Sequence, residues 1–326
     1  MLKFFCFFFF KKRSGAPCER TAKRFVRGAK PRELKGDIRM EWERAKNYII
    51  VAFVLLNCGL AGLLFYEDRR YTLGSDRIAS IQAVLSDNNI NFSYTNLPRR
   101  FAPMRHLDVS GFYYDVPALL DIFFGDEVFF RKDSDDERII FETEKTILEI
   151  SNGFISFDNS ANLRENRNEN KNENFSREEA IKISQNFIAK YFSDFKRDIV
   201  FEADGGFRIR YIQEFREQLI YSNLIEFFVL PQGVAWIEME FGRVIGFSAE
   251  PRMIFAPDEI LLTFMQRVRH RAMENPIFIT HMDVVFKQEY ASDQPGTIYP
   301  AVPFYRIFIR GEDFPFLINA YTNVLN

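Results

Sequence analysis

Hydrophobic positions single out one segment that differs from the rest of the chain. Residues 48–66 (YIIVAFVLLNCGLAGLLFY) are continuously apolar, with no charge and one strongly polar side chain, Asn57. A helix of this length covers roughly 28 Å, close to the ~30 Å hydrocarbon core of a bilayer. A helix buried in a soluble core normally keeps a polar stripe, which this run lacks. The pattern therefore predicts one transmembrane helix over 48–66.

After this span the hydrophobic period changes twice from helical spacing to alternation. Helices are predicted from Ser75 and over 118–124, and period-two alternation predicts four strands between 128 and 158. A capping-box pattern at 176–179 begins another helix, and further strands, a helix near 258–268 and closing strands follow. Helices followed by antiparallel strands, twice over, indicate an α+β fold.

Between the two halves lies NLRENRNENKNEN (162–174), which has six Asn and almost no apolar residue. Such a segment cannot bury a face, so we expect a solvated linker. The predicted organisation is therefore a lead-in, the transmembrane helix, a first lobe, an Asn-rich linker and a second lobe, at residues 40–47, 48–66, 67–161, 162–175 and 176–326. Each lobe is expected to be a helix packed on an antiparallel sheet.

Charge divides the chain at the same place. Residues 1–46 carry 14 basic and five acidic residues, a net of +9, while the remaining 29 basic and 40 acidic residues give −11. The positive-inside rule places the N-terminus in the cytoplasm and 67–326 outside a cell membrane crossed once. The basic extension, residues 1–39, has no lasting period. It is interpreted either as a disordered tail on the membrane surface or as upstream sequence before a true start at Met40, and we favour the second interpretation.

The sequence offers little catalytic chemistry. All three cysteines (Cys6, Cys18 and Cys58) precede residue 67, so no disulfide can form within the external part. The three histidines have no metal-ligand spacing, and nucleophile and phosphate-loop motifs are absent from the sequence. We therefore expect a protein that is not an enzyme, with no cofactor, no metal site and no nucleic-acid partner.

The transmembrane helix itself contains the candidate site. Asn57 places an amide near the middle of the span, where it is costly unless it finds a partner. Cys58 and Gly62 form a small-xxx-small pair, with Gly59 beside them, which allows a second helix to approach closely. We predict that Asn57, Cys58, Gly59 and Gly62 contact a partner helix, so the function would be exerted through another membrane protein.

Two segments resemble one family. The start, MEWERAK at 40–46 followed by an apolar span interrupted by Asn57, looks like the start of YycI proteins, and PFYRI (303–307) with FLINAY (316–321) is similar to their closing strands. The helix at 176–191 and the strands after it also resemble a PepSY unit. Two features depart from the family: the 39-residue extension, and Phe304 where Trp is expected.

The resemblance implies a single-pass accessory regulator of the WalK sensor histidine kinase, working beside a YycH-like protein in a hetero-oligomer of a Gram-positive bacterium. It implies PepSY/YycH-like lobes and no catalysis. Two alternatives stay open: a surface-anchored binding module for a cell-wall ligand or peptide, and an exported hydrolase. The hydrolase hypothesis requires a cleft with paired acids in the fold.

Overall fold

The computed structural model describes residues 35–111, 115–135, 138–151, 153–159, 161, 163, 175–240, 242–289 and 297–325. The predictions for residues 1–34 and for most of the Asn-rich linker therefore lie outside the described residues. The chain divides into two compact units, Met1–Leu64 and Phe65–Asn326.

Helix α1 (Lys35–Arg70) contains the whole predicted span and extends beyond it at both ends. Within it, Arg44–Arg70 is the one segment among the described residues that is long and apolar enough to cross a membrane. Its most apolar window has a mean hydropathy of 2.4, and none of that window is buried in the protein. The prediction of a candidate membrane-spanning helix near the N-terminus is confirmed.

Three of the four further helices have a side-chain hydrogen bond at their N-terminus, whereas the helix that begins at Ser75 follows Gly74 and has no side-chain cap. The capping box at Ser176 is formed: its hydroxyl accepts from the Glu179 N–H at 3.3 Å, and the Glu179 carboxylate accepts from the Ser176 N–H at 3.0 Å. Asp115 caps the next helix upstream by accepting from the Ala118 N–H. These helices are α2 (Ser75–Ser86), α3 (Val116–Phe123), α4 (Arg177–Tyr191) and α5 (Pro257–Glu274).

Fourteen strands make up the sheet of the described chain. Most coincide with predicted strands, but β1, β2 and β7 were missed because they are short or carry charges on both faces. A 3-10 turn (Tyr94–Asn96) follows β1. The strands are β1 (Ile90–Phe92), β2 (Leu107–Ser110), β3 (Phe130–Asp135), β4 (Arg138–Glu142), β5 (Ile147–Ser151), β6 (Phe154–Asp158), β7 (Phe195–Ala203), β8 (Gly206–Phe215), β9 (Gln218–Leu230), β10 (Gly233–Glu240), β11 (Arg243–Phe247), β12 (Ile277–Gln288), β13 (Ile298–Ile309) and β14 (Phe316–Asn319).

The strands pair in the order β11-β2-β13-β12-β9-β10-β6-β5-β4-β3. The sheet branches at strand β9. One edge of β9 pairs with β8, and β8 pairs in turn with β7. The other edge of β9 pairs with β10 along most of its length and with β12 at one position. Strands β1 and β14 add to β12 and β13 respectively. Pairing is antiparallel except for β1 with β12 and β9 with β12. The α+β fold class is confirmed in this coarse form: one apolar helix and a large sheet domain.

Two large hydrophobic clusters flank this sheet. The first packs α2 and α5 against β1, β12, β13 and β14, and its centre includes Leu85, Phe264 and Tyr305, all with no exposed surface. The second packs α3 and α4 against β4–β6 and β8–β10. A third, smaller cluster (Leu107, Val109, Ile220, Phe286 and Ala301) lies around the parallel contact of β9 with β12.

The predicted pair of sequence-contiguous lobes is not confirmed. Residues Phe65–Asn326 form one compact unit, and each large cluster draws on segments before and after the Asn-rich linker. In particular, the first cluster joins residues 73–101 to residues 254–321. The physical reason is that α2 and β1 cannot cover their own apolar faces, and the partners that cover them are α5 and β12, almost 200 residues later.

A buried ion cluster joins strands from the two sides of the branch. Arg306 on β13 lies directly opposite Asp283 on β12, and the two form a bidentate pair with Nε–Oδ1 and Nη2–Oδ2 distances of 2.8 and 2.7 Å. The remaining Nη1 donates to Asp198 Oδ1 on β7 at 2.7 Å. The side chains of Arg306 and Asp198 are only 3% and 4% exposed.

Asp198 reaches this cluster because β7 is irregular there. The register of β7 against β8 shifts between Arg197 and Ile199, and such a bulge turns a side chain away from its regular direction. Burial raises the pKa of Asp198, and the charge of Arg306 only partly opposes this. For Asp283, burial would raise the pKa, but hydrogen bonds from Arg306 and His281 outweigh it and hold that pKa below its usual range.

We predict that Arg306→Met lowers the free energy of unfolding by about 3–5 kcal/mol, because it leaves the buried Asp198 and the partly buried Asp283 carboxylates without their cation. Urea unfolding of the detergent-solubilised chain, followed by circular dichroism, measures this. A triple variant that also carries Asp198→Leu and Asp283→Leu should recover most of the loss, since a buried ion cluster can be replaced by apolar groups. A loss below about 1 kcal/mol in the single variant would contradict the prediction.

Candidate functional site

The four predicted contact residues lie on α1 and are exposed in this chain. Apart from the adjacent residues and the nearby backbone of the helix itself, no described atom lies within 4 Å of the position that a Cβ would take at Gly59 or Gly62. At about 100° per residue, Cys58, Gly62 and Gly59 fall within an arc of about 100°. Asn57 lies about 100° from Cys58, on the far side of that arc from Gly59. The small residues therefore share one face, and Asn57 lies about 150° from the centre of that face, towards the other side of the helix.

Asn57 is partly satisfied within its own helix. Its Nδ2 donates to the Phe53 carbonyl oxygen one turn earlier, at 2.7 Å. This bond offsets part of the cost of placing an amide in hydrocarbon. The Oδ1 atom accepts no hydrogen bond from any described residue. It is therefore an acceptor that the described part of the chain leaves unpaired.

A second set of residues, not predicted from the sequence, forms a row across the sheet. Trp236, Phe228, Arg208 and Phe201 lie directly opposite one another on β10, β9, β8 and β7, and we name them the aromatic row. Their chain neighbours Ile209, Phe227 and Ile237 belong to the second hydrophobic cluster. Because side chains alternate across a strand, the aromatic row lies on the opposite face of the sheet from α3 and α4.

The members of the aromatic row are in contact and partly exposed. The Trp236 and Phe228 rings are 5.9 Å apart, and Arg208 Cζ lies 5.1 Å from the Trp236 ring centroid. Phe314, from the segment between β13 and β14, packs edge-on against Phe201 at 5.5 Å. Phe314 is 46% exposed and the Arg208 side chain is 39% exposed. The row therefore offers amphipathic surface of the kind common in binding sites.

One step along the strands lies a charged row, made of Glu238, Glu226 and Arg210 on β10, β9 and β8. Arg210 donates to Glu226 Oε2 from Nε and Nη2, at 3.0 and 2.7 Å, and to the Tyr221 hydroxyl at 3.2 Å. Burial, followed by the nearby Glu226 charge, raises the pKa of Glu238. Glu226 is thus held in an ion pair with Arg210. The unfavourable burial of negative charge in this row mainly affects Glu238, whose pKa is raised.

The two described surface cavities lie elsewhere. One, of about 550 Å³, lies beside the β1–β12 edge and is lined by Asn91, Thr280 and Arg310 among others. The other, of about 480 Å³, lies beside Arg216 at the β8–β9 turn and Phe286. Neither is lined by an acidic residue, so neither is the cleft with paired acids that the hydrolase hypothesis requires. Within the part of the chain that the structure describes, no group of three or more His, Cys, Asp or Glu could hold a metal ion.

Sequence reasoning missed both rows and the ion cluster, although signals for parts of them exist. Arg208 and Arg210 alternate with Ile209 and Tyr211, which already places the two arginines on one face of a strand. Arg306 is the one charged residue of β13, and a charge within an apolar strand predicts a buried partner. Which acids would meet these arginines depends on register and on the β7 irregularity, which no local pattern reveals.

Comparison with known proteins identifies no family. No protein-family model matches the chain, and no curated protein matches it. Among solved structures, it is similar to an uncharacterized protein from Eubacterium rectale ATCC 33656, with a TM-score of 0.49 and 10% identity, covering 73% of this chain and 90% of that chain. It is also similar to the Bacillus megaterium YpeB C-terminal domain, with a TM-score of 0.40 and 11% identity, covering 66% and 96%. None of these matches supports the YycI family, which stays a prediction.

We predict that Glu238→Gln stabilises the protein at neutral pH and that this gain disappears below about pH 4.5. The folded protein holds the Glu238 proton more tightly than the unfolded chain does, because the pKa is raised on folding. Stability therefore falls as the pH rises above the ordinary glutamate value, and the amide removes this loss. Urea midpoints of both proteins across this pH range measure it.

Glu149→Gln on the same sheet face is the matched control. Glu149 accepts from Arg138 at 2.7 Å, so its replacement removes an ion pair and should produce no such gain. A Glu238→Gln midpoint that is equal to or below that of the unmodified chain at pH 7 would refute the prediction.

Proposed function

We propose that this protein is a membrane-anchored regulator that acts by contact on another membrane protein. The observation that carries the proposal is helix α1, whose apolar window has no covering surface from its own chain. In a membrane, lipid covers such a helix, but a helix of pure anchoring function needs no amide at its centre. Asn57 and the small residues beside it therefore favour a lateral contact.

The geometry of α1 suits such a contact. Open space around Gly59 and Gly62 lets a second backbone approach closely, and close approach maximises packing where no hydrophobic force joins two helices in lipid. The unpaired Oδ1 of Asn57 can accept one hydrogen bond from a neighbour on another side of the helix. With the positive-inside rule, the N-terminus is cytoplasmic and the sheet domain lies outside the cell membrane.

The partner class comes from the resemblance in the sequence: a sensor histidine kinase, accompanied by a second single-pass protein of the YycH kind in a hetero-oligomer. For such a regulator to act, it must bind the active and inactive states of the kinase with unequal affinity, since equal affinity shifts no equilibrium. The helix and the external domain are the two surfaces through which the difference can arise.

We predict that Asn57→Leu combined with Gly62→Leu lowers the recovery of the kinase with the tagged full-length protein by at least about fivefold. The added side chains block close approach, and the leucine removes the acceptor, which together correspond to a loss of roughly 1 kcal/mol or more. Co-purification from membranes, with kinase output measured in the same strain, tests this.

The matched control enlarges a different part of the helix surface with Leu56→Phe, a position about 100° from Asn57 and about 120° from Gly62 around the helix. This variant should keep kinase recovery, because the contact face is unchanged. If the Asn57/Gly62 variant recovers the kinase and supports signalling as the unmodified protein does, the helix-contact proposal fails.

A second candidate function, a surface-anchored binding module for cell-wall fragments, is favoured by the aromatic row. Trp236 and Phe228 give apolar contact area, while Arg208 and Phe314 border it with a cation and a further exposed ring. This combination is typical of surfaces that bind amphipathic ligands such as glycan–peptide fragments. In this function the helix would serve for attachment only.

We predict that, if the second function holds, Trp236→Ala weakens binding of soluble peptidoglycan fragments at least about tenfold, because a central aromatic anchor is lost. Calorimetry with the full-length protein in detergent measures the affinity. Phe255→Ala, at a 38% exposed aromatic outside the row, is the control and should leave binding unchanged. No measurable binding by the unmodified chain would refute this function and leave the regulator proposal intact.

A further inference from the structure

Four arginines lie together where α1 ends. Arg69 and Arg70 are its last two residues, and Arg99 and Arg100 are brought beside them by backbone pairing. The Leu73 N–H donates to the Arg99 carbonyl at 2.7 Å, the Phe101 N–H donates to the Tyr71 carbonyl at 2.9 Å, and Thr72 forms a bridge with Arg100. We name these four residues the arginine collar.

The collar is exposed and only weakly neutralised. All four arginines are exposed, and the Arg100 side chain is 72% exposed. Arg100 lies 3.7 Å from Asp68, and this is the one carboxylate within ion-pair distance of the collar among the described residues. With Glu67 and Asp68 counted, the collar region carries +2, whereas the chain after residue 46 carries −11. The positive charge is therefore a local feature of an acidic domain.

The length of α1 gives the depth of the collar in a membrane. The uncharged run 47–66 spans about 30 Å as a helix, which equals the hydrocarbon thickness. The next four residues, Glu67–Arg70, extend about 6 Å further. The headgroup layer on each side of the hydrocarbon is about 5–7 Å thick, so Arg69 and Arg70 lie within it. Because Arg100 lies within 4 Å of Asp68, its guanidinium lies at the same depth.

We propose that the arginine collar binds the phosphate groups of anionic phospholipids and so holds the external domain against the membrane surface. This inference rests on the membrane anchoring in the proposed function, and it adds a ligand class and a site. Guanidinium groups bind phosphate through parallel N–H donors, and each basic residue near an anionic surface adds roughly a fivefold gain in affinity. Tethering would also limit the orientations in which the external domain meets a partner.

Spin-labelled lipids test the proposal with the full-length protein in mixed phosphatidylcholine–phosphatidylglycerol bilayers. The fraction of motionally restricted label gives the preference for phosphatidylglycerol over phosphatidylcholine. We expect the unmodified protein to prefer phosphatidylglycerol, and Arg99→Gln with Arg100→Gln to reduce this preference roughly two- to fivefold. The preference should also weaken in high salt, because exposed charges are screened.

The matched control is Arg267→Gln with Arg269→Gln, two exposed arginines on α5. They lie about 15 Å along that helix from Asp258, which binds Arg77 near the start of α2. The control removes the same charge and should keep the lipid preference. An equal preference in the collar variant and the unmodified protein would overturn the proposal, as would an equal loss in the control.

Two further measurements separate the possible failures. Soluble glycerol phosphate should compete no better than chloride at equal ionic strength; specific competition would mean a site for free phosphate and would overturn the membrane-surface proposal. Resistance to alkaline carbonate extraction reports anchoring independently. A chain that is extracted refutes both the anchoring and the collar, whereas an anchored chain with no lipid preference refutes the collar alone.

Discussion

The Arg306 guanidinium, held between Asp283 and Asp198, is the interaction on which the sheet domain depends. Arg306 and Asp283 belong to strands of the first hydrophobic cluster, and Asp198 belongs to β7, which joins the sheet through β8 on the far side of the β9 branch. A charge with almost no exposed surface tolerates few alternative arrangements, because each one leaves an ion unpaired in a medium of low dielectric constant. The cluster therefore specifies how β7 and β8 lie against β12 and β13.

The same branch creates the two rows of side chains across the sheet. Because β9 shares one edge between β10 and β12 and gives the other edge to β8, residues from β7 to β10 line up in rows across one face. The aromatic row and the charged row follow from this register. Their side chains are therefore positioned by regular sheet hydrogen bonds, whereas loops would hold them less rigidly. At the other end of the chain, α1 presents its small residues with no cover from its own protein.

Local patterns in the sequence were sufficient for most of the elements. The span at 48–66, the capping box at Ser176 and the alternating strands from 128 to 158 depend on neighbours within a few residues, and the structure contains each of them. The division into two lobes is not confirmed, and the reason is that packing partners are not local. A repeated helix-then-strands order gives the local elements but not their partners, and α2 packs with α5 across almost 200 residues.

By itself, the sequence determined an apolar helix long enough for a bilayer, an acidic α+β domain after it, and the small-residue face of the helix with Asn57 on another side, because length, charge and period are local properties. Only the tertiary structure decided which acids meet Arg306, which side chains form the aromatic and charged rows, and that Arg99 and Arg100 lie beside the end of α1. These arrangements depend on strand register, on the β7 irregularity and on pairing between distant segments. A one-residue change of register would move every such side chain to the other face of the sheet. The properties of single residues do not specify which register the strands adopt.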